Sequence, residues 1–389
     1  MNVTPLALHS PRAVRETLRE RGWDAGQAAA TSGGIHPLAF HLTGLDQDTL
    51  EALVRHSGSL GLEVLTGDGW AVLAGSRSRL SALARPWLVP PALAELALHI
   101  GVAMPAEPAP VWETARGPVA LDRAVIVGIL NVTPDSFSDG GRFAGVDAAL
   151  AQADALLDAG ATLLDIGGES TRPGRTEAVP TEVELERVLP VVEALVRSHP
   201  ALLLTVDTVK ADVARATLAA GAAAINDVSG LRLEPELGRA VAEAKAGLIL
   251  MHSRGGILEI ASYEHATYGD VVGEVIAELR AALAVAAAAG VAPGATVVDP
   301  GFGFSKTVEQ NILLFDQLAG LQALGRPIMV GPSRKRFLGE VAGLPVEDRD
   351  RVTAVACALA YERGARLFRV HAVGVAREAL ALAQALGGP

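Results

Sequence analysis

Residues 124–141 read AVIVGILNVTPDSFSDGG. The first seven are apolar or small without a break, and the run stops at Asn131. Unbroken apolarity, rather than alternation, is the pattern of a parallel strand covered on both faces. Beyond Asn131 lies a long polar loop holding one aromatic, Phe137. Seven further runs of the same kind occur downstream, at 162–168, 202–208, 222–227, 247–252, 296–301, 327–331 and 367–371. Between them lie segments with Ala/Leu-rich helical spacing, among them 146–159, 182–197, 270–289 and 374–386. Eight βα units in roughly 265 residues predict an α/β fold, a (β/α)₈ TIM barrel. An open doubly wound sheet is the competing architecture, but it rarely needs eight such even units.

Polar residues collect where these runs end. The first ends in Asn131, the second in GGESTRPG (167–174), the third in Asp207 and the fourth in Asn226-Asp227. The fifth ends in His252, the sixth in Asp299, the seventh in GPSRK (331–335) and the eighth in Arg369 and His371. All are C-terminal strand ends, where barrel active sites are built. Each has a plain alternative. Asp207 and Asp227 suit helix N-caps, Asn226 can satisfy loop backbone, and Gly167, Gly168, Gly301 and Gly303 suit turns. Arg369 inside an apolar strand fits a plain reading poorly, because an unpaired buried charge is costly. Lys335, one of only four lysines, is equally unlike a solvated surface residue.

Upstream of the barrel the chain changes character. Four prolines in PAEPAPVWETARGP (105–118) predict a semi-rigid linker. The expected division is a small α/β N-terminal domain over 1–104, a Pro-rich linker over 105–121 and the barrel over 122–389. In the first part a helix is expected after Ser10-Pro11 and another over 45–61, with strands at 38–43, 62–66 and 70–76. No chemical motif occurs there. Half of the 389 residues are hydrophobic, and the net charge of −11 argues against non-specific binding to nucleic acid or anionic membrane. The single cysteine, Cys357, excludes an internal disulfide framework and a Cys-based zinc site, and its apolar neighbours predict a core residue. No signal peptide and no bilayer-spanning run is expected. A soluble cytoplasmic protein is therefore expected.

The polar ends suggest a ligand. Asp207, Asn226 and Asp299 suit a flat heterocycle with adjacent N–H and NH₂ donors, such as a guanine-like or pterin edge. Arg172, Arg369, His371 and the 331–335 turn suit phosphate, and the loops after strands 7 and 8 are the usual phosphate site of barrels. No cluster has the spacing of a protein-caged metal. A Mg²⁺ held by one protein oxygen and substrate phosphate fits better.

At these residues the chain from about 122 to 389 closely resembles the dihydropteroate synthase family. The stretches GILNVTPDSFSDGG, DIGGESTRPG, VDT (206–208), IND (225–227), LMH (250–252), DPGFGFSK (299–306), GPSRKRFLG (331–339) and RVH (369–371) carry the likeness. The resemblance implies a barrel that joins 6-hydroxymethyl-7,8-dihydropterin diphosphate to 4-aminobenzoate, releasing pyrophosphate. It implies that Asp207, Asn226, Asp299 and Lys335 hold the pterin, with Met251 lining its pocket. Asn131 becomes the one protein ligand to Mg²⁺. Thr171, Arg172, Arg369 and His371 hold the diphosphate, and Phe137, Pro173, Phe304 and the Ser333–Arg336 turn form the aminobenzoate site. Asp139, or failing that Asp135, is expected to face the developing cation. The partners implied are these small molecules and a second copy of the chain in a homodimer, with helix 352–363 a candidate interface; no nucleic acid or membrane partner is implied.

Three positions depart from the family pattern. Ala372 replaces a common Asp after RVH, Pro332 lacks the N–H of a smaller residue, and Arg336 stands where some members have Ser. Arg336 is expected to pair with the aminobenzoate carboxylate. Two other readings remain at this point: a non-catalytic pterin-binding or regulatory paralogue, and a methyltetrahydrofolate:corrinoid methyltransferase. Neither has a use for the diphosphate-binding residues.

Overall fold

A computed structural model describes residues 37–104, 111–133, 141–169 and 177–387. The chain divides into two units, Met1–Met104 and Pro105–Pro389. In the first, β1 (Pro37–Thr43), β3 (Trp70–Ser76) and β2 (Glu63–Gly67) form an antiparallel sheet in that order. Helices α1 (Gln47–Leu60), α2 (Arg77–Leu83) and α3 (Ala94–Ala103) complete it around Leu53, Leu73, Leu80, Leu93 and Ile100. Helix α1 starts where the Asp46 carboxylate accepts from Thr49 N–H at 2.8 Å and stops at Gly61, whose φ of 65° ends the helix. The helix expected after Ser10-Pro11 lies outside the described residues.

The second unit opens with a short antiparallel ribbon, β4 (Val111–Trp112) and β5 (Val119–Ala120). Eight parallel strands then close a barrel, each pairing with the next in sequence. They are β6 (Val125–Asn131), β7 (Leu163–Gly167), β8 (Leu203–Asp207), β9 (Ala224–Asp227), β10 (Gly247–Met251), β11 (Thr296–Asp299), β12 (Ile328–Val330) and β13 (Ala365–Val370). The last strand pairs with the first, Val370 opposite Gly128. Helices α4 (Gly141–Asp158), α5 (Thr181–Ser198), α6 (Ala211–Ala219), α7 (Glu236–Glu243), α8 (Val271–Ala288), α9 (Val308–Asp316), α10 (Arg336–Ala342), α11 (Asp350–Glu362) and α12 (Val373–Gly387) pack around the strands. The barrel expected from the eight apolar runs is the one observed, with strand limits moved by one or two residues. Cys357 is fully buried on α11, as its neighbours predicted, and burial pushes its thiol up to about 12.

Two apolar layers explain why continuous runs make these strands. Outward side chains such as Ile126, Leu164, Leu204, Ile225 and Val298 meet the helices. Inward ones, Val125, Val127, Leu163, Ala224, Ile249, Val297, Met329 and Leu367, fill the lower barrel together with Trp112, Val119 and Leu121. The 105–121 segment is thus more than the expected linker from Val111 onward. Trp112 is fully buried and its Nε1 donates to Ala295 O at 2.8 Å. Glu113 N donates to Gly294 O and Ala115 N to Ala223 O, both at the starts of strands. The ribbon therefore caps the strand-start end of the barrel and satisfies carbonyls that would otherwise face an open floor. Among the described residues, no helix is long and apolar enough to cross a membrane.

Trp112→Ala removes the largest side chain of that floor and its hydrogen bond. It is expected to cost about 3–5 kcal/mol, read as a lower urea midpoint of the barrel transition in the full chain.

Candidate active site

Strand geometry turns the floor into the site. Residues two apart on a strand share a face. Moving up the inward face, Leu163 is followed by Asp165, Leu203 by Thr205, Ala224 by Asn226, Val297 by Asp299 and Leu367 by Arg369. One residue pair along each strand converts an apolar plug into a polar layer. Asp165 is completely buried, and Asn226 and Asp299 nearly so.

Asp165 is the hub of that layer. Its Oδ1 accepts from Thr205 Oγ1 at 2.5 Å, and its Oδ2 accepts from Asn226 Nδ2 at 3.1 Å and from Arg369 Nε at 2.5 Å. Arg369 also donates from Nη2 to Asp207 Oδ2 at 2.8 Å. A carboxylate on β7 therefore fixes side chains on β8, β9 and β13. With its NH₂ given to Asp165, Asn226 keeps a buried Oδ1 that has no hydrogen-bond partner among the described residues. A buried acceptor without a donor is costly unless something else supplies one.

The charges are unevenly matched. One guanidinium serves two buried carboxylates. Burial pushes Asp207 up to about 7 against the pull of Arg369, with Asp165 raising it further. Burial likewise pushes Asp299 up to about 6, opposed by the Gly301 N–H that its Oδ1 accepts at 2.7 Å. Burial holds the Lys335 ammonium down at about 7, the nearby Arg369 charge adding to the effect. Lys335 Nζ sits 3.5 Å from the centroid of the Phe304 ring, a cation–π contact. Gly301 has φ 67°, and a Cβ there would lie 2.0 Å from His252 O, so the turn beside Asp299 admits only glycine.

The remaining expected residues fall into groups. Met251, buried on β10, packs with Val209, Val228, Ile260 and Phe304 as an apolar wall. Ser333 Oγ and His371 Nδ1 are 2.9 Å apart, and His371 N donates to the same Oγ at 3.1 Å. Ser333 thus orients His371 where Ala372 offers nothing. Arg334 occupies the left-handed region at φ 57°. Its guanidinium grips both oxygens of Asp350, its N–H donates to Thr353 Oγ1 and its carbonyl accepts from Arg349, so α11 holds the turn that presents Ser333 and Lys335. Asn131, half-buried at the end of β6, places Oδ1 over Gly167. Asp227 is a turn former: its carboxylate accepts from Ser229 and Leu231. Arg336 is not gathered into the cluster. It is exposed, ion-paired with Glu340 and 4.9 Å from the Tyr263 ring. Asp135, Phe137, Asp139, Thr171, Arg172 and Pro173 lie outside the described residues. Strand-end reasoning missed Asp165 and Thr205 because both sit mid-strand. The signal for Asp165 was a lone carboxylate inside the apolar run at 162–168.

An eight-stranded parallel barrel whose mouth gathers carboxylates, an amide and cations has the architecture of a barrel enzyme's active site. The profile of the family described as pterin binding enzyme matches residues 127–371. The dihydropteroate synthase of Synechocystis sp. is 44% identical over 266 residues, which is 68% of this chain and 90% of that protein. A structure of Xanthomonas albilineans dihydropteroate synthase with 4-aminobenzoic acid aligns with a TM-score of 0.66 at 46% identity, covering 72% of this chain and 99% of that one. The same enzyme in complex with 7,8-dihydropteroate aligns with a TM-score of 0.64 at 43% identity, covering 72% of this chain and 100% of that one. The chain belongs to the pterin binding enzyme family and, within it, to the dihydropteroate synthases, which are transferases.

Asp165→Ala strips Arg369 of one of its two carboxylates and frees Asn226 to rotate. Removing one partner of a buried ion pair is expected to cost about 3–5 kcal/mol, measurable by urea unfolding, with pterin affinity falling in parallel.

Proposed function

We propose that this barrel condenses 6-hydroxymethyl-7,8-dihydropterin diphosphate with 4-aminobenzoate, giving 7,8-dihydropteroate and pyrophosphate for folate synthesis. The observation that carries the reading is the Oδ1 of Asn226, buried and without a partner among the described residues, in the same polar layer as the carboxylates Asp207 and Asp299. Three acceptors in one buried layer match the N–H and NH₂ edge of a pterin. Lys335 and Met251 complete that pocket, the first as a donor and the second as an apolar face. Arg369, locked by two carboxylates, and His371, oriented by Ser333, hold the diphosphate with Thr171 and Arg172.

Asn131 is the side chain that would hold Mg²⁺. Its half-buried amide oxygen at the barrel mouth has the hard-donor chemistry required, and substrate oxygens and water would complete the shell. The bound ion would neutralise charge on the departing pyrophosphate. A second group, Glu259, Glu264 and His265, has ligand atoms near one another, but it lies on the 252–270 loop among exposed acids and is not assigned a metal.

In this reading the substitution is dissociative. The fixed cations Arg369 and Lys335 stabilise negative charge as the C–O bond breaks. The methylene cation left behind is delocalised into the electron-rich pterin, and Asp139 faces it from the strand-1 loop. The aniline nitrogen then attacks and needs no strong base, because its lone pair is free at neutral pH. Phe137, Pro173, Phe304 and the Ser333–Arg336 turn receive the aminobenzoate ring. To meet its carboxylate, Arg336 has to leave Glu340.

The active unit is a homodimer in the cytoplasm. Outward-facing Val355 and Leu359 on α11, with Val375, Leu382 and Leu386 on α12, supply the apolar surface for it.

The direct test is pyrophosphate release by the full chain with dihydropterin diphosphate, 4-aminobenzoate and Mg²⁺. Release is expected only with all three, and Asn131→Ala is expected to lower it by roughly 10²-fold. Pterin binding without release would favour a binding paralogue. The raised carboxyl values give a second expectation. The free folded protein keeps protons on Asp207 and Asp299 that the unfolded chain loses near pH 4, so its stability falls as pH climbs from about 4 to 7. Pterin binding needs both carboxylates ionised. Affinity measured by calorimetry is therefore expected to rise from pH 5 to pH 7.

A further inference from the structure

Lys306, just beyond β11, is completely buried and is the one lysine so placed among the described residues. Its environment is unusually specific. Nζ lies 2.9 Å from His252 Nδ1, 3.1 Å from Phe304 O and 3.2 Å from Gly301 O. An ammonium carries three protons and no acceptor, and three acceptors converge on this one. Two of them are carbonyls at the ends of a single turn, which is closed by Phe304 N donating to Gly301 O at 3.1 Å. Burial pulls the ammonium down to about 7, and the Asp299 and Glu278 charges act to restore it.

The third acceptor fixes a tautomer. If His252 Nδ1 accepts, its proton is on Nε2, and Nε2 is 3.0 Å from Glu278 Oε2. Burial, with the Lys306 charge beside it, pushes His252 down to about 4, which keeps the ring neutral and able to accept. Negative charge near the ammonium comes from Asp299 and, through the neutral ring, from Glu278, whose carboxylate Arg254 grips while lying over the Tyr268 ring. The chain of contacts runs from a buried ammonium, through a neutral imidazole, to a carboxylate near the surface.

The turn that Lys306 gathers carries the site. Asp299 Oδ1 is bound by Gly301 N, Phe304 supplies the ring under Lys335, and His252 N donates to Asp299 O at 2.9 Å. Three residues in this short loop, Gly301, Gly303 and Ser305, have positive φ, so backbone preference alone does not hold its shape. We propose that Lys306 is a positioning residue: its ammonium acts as a built-in cation that sets the 299–306 loop, and through it the places of Asp299 and Lys335 against the substrate. The substrate part of this inference rests on the pterin reading of the site; the loop-setting part does not.

The test uses the full chain. Lys306→Met keeps an unbranched side chain, one atom shorter, and removes the charge. Amide hydrogen exchange is expected to accelerate within 299–306 while strands β6 to β9 keep wild-type protection. Affinity for dihydropterin diphosphate, by calorimetry, is expected to fall by about tenfold or more, because small misplacements at a site carry large penalties. Glu278→Gln leaves Lys306 in place but takes away one of its two nearby negative charges and the carboxylate on His252 Nε2, and is expected to shift both readouts in the same direction by less; it decides the matter should Lys306→Met not fold. Unchanged exchange in 299–306 overturns the inference, and so does a uniform loss of protection across the barrel with wild-type affinity. If the wild-type chain neither binds the pterin nor releases pyrophosphate, the functional reading fails, while the exchange result still decides whether Lys306 sets the loop.

Discussion

A carboxylate at the centre of the barrel organises the rest of the site. Asp165 is fully buried, and burying a charge is tolerated only when partners replace the lost water. Here the partners come from three other strands: Thr205 on β8, Asn226 on β9 and Arg369 on β13. The requirement acts in both directions. Asp165 needs them to be buried, and they need Asp165 to point where they do. Arg369 gains a fixed orientation and hands its second arm to Asp207, and Asn226 gains a fixed sense for its amide. Arg369 alone does not offset the loss of water around Asp207 and Asp299, so burial holds both carboxyl groups above their ordinary range.

Much of this was legible in the sequence, for identifiable reasons. Eight unbroken apolar runs with helical segments between them define a barrel, because both faces of each strand are covered. The polar residues at the ends of those runs mark the mouth, and Asp207, Asn226, Asp299, Lys335 and Arg369 do converge there. What escaped is what depends on long-range pairing. Asp165 and Thr205 lie inside their strands, where position along the run says nothing of function. Lys306 was visible as a rare lysine, but its match to two carbonyls and a histidine depends on loop backbone that composition does not encode. Asp227 suited a helix N-cap, and its carboxylate instead closes the turn after β9. Arg336, expected at the aminobenzoate carboxylate, is exposed and pairs with Glu340 one turn along α10. The proline content around residue 110 suggested a linker, and spacing carried no hint that Trp112 would go under the barrel.

Mouth and supports differ in how they are held. Several side chains of the mouth have a partner one step removed. Ser333 holds His371, Asp350 and Thr353 hold the turn before Lys335, and Phe304 lies under Lys335 itself. Such backing is what keeps donors and cations aimed before a substrate arrives, so that little reorganisation remains to be done during the reaction.

The ribbon beneath the barrel fixes where the chain can be cut. The tryptophan that closes the floor is at 112, and its backbone neighbours bind the chain just before β9 and β11. A fragment begun within 113–121 would leave the core open at its base, so a barrel separated from the first unit has to keep residues 111–121.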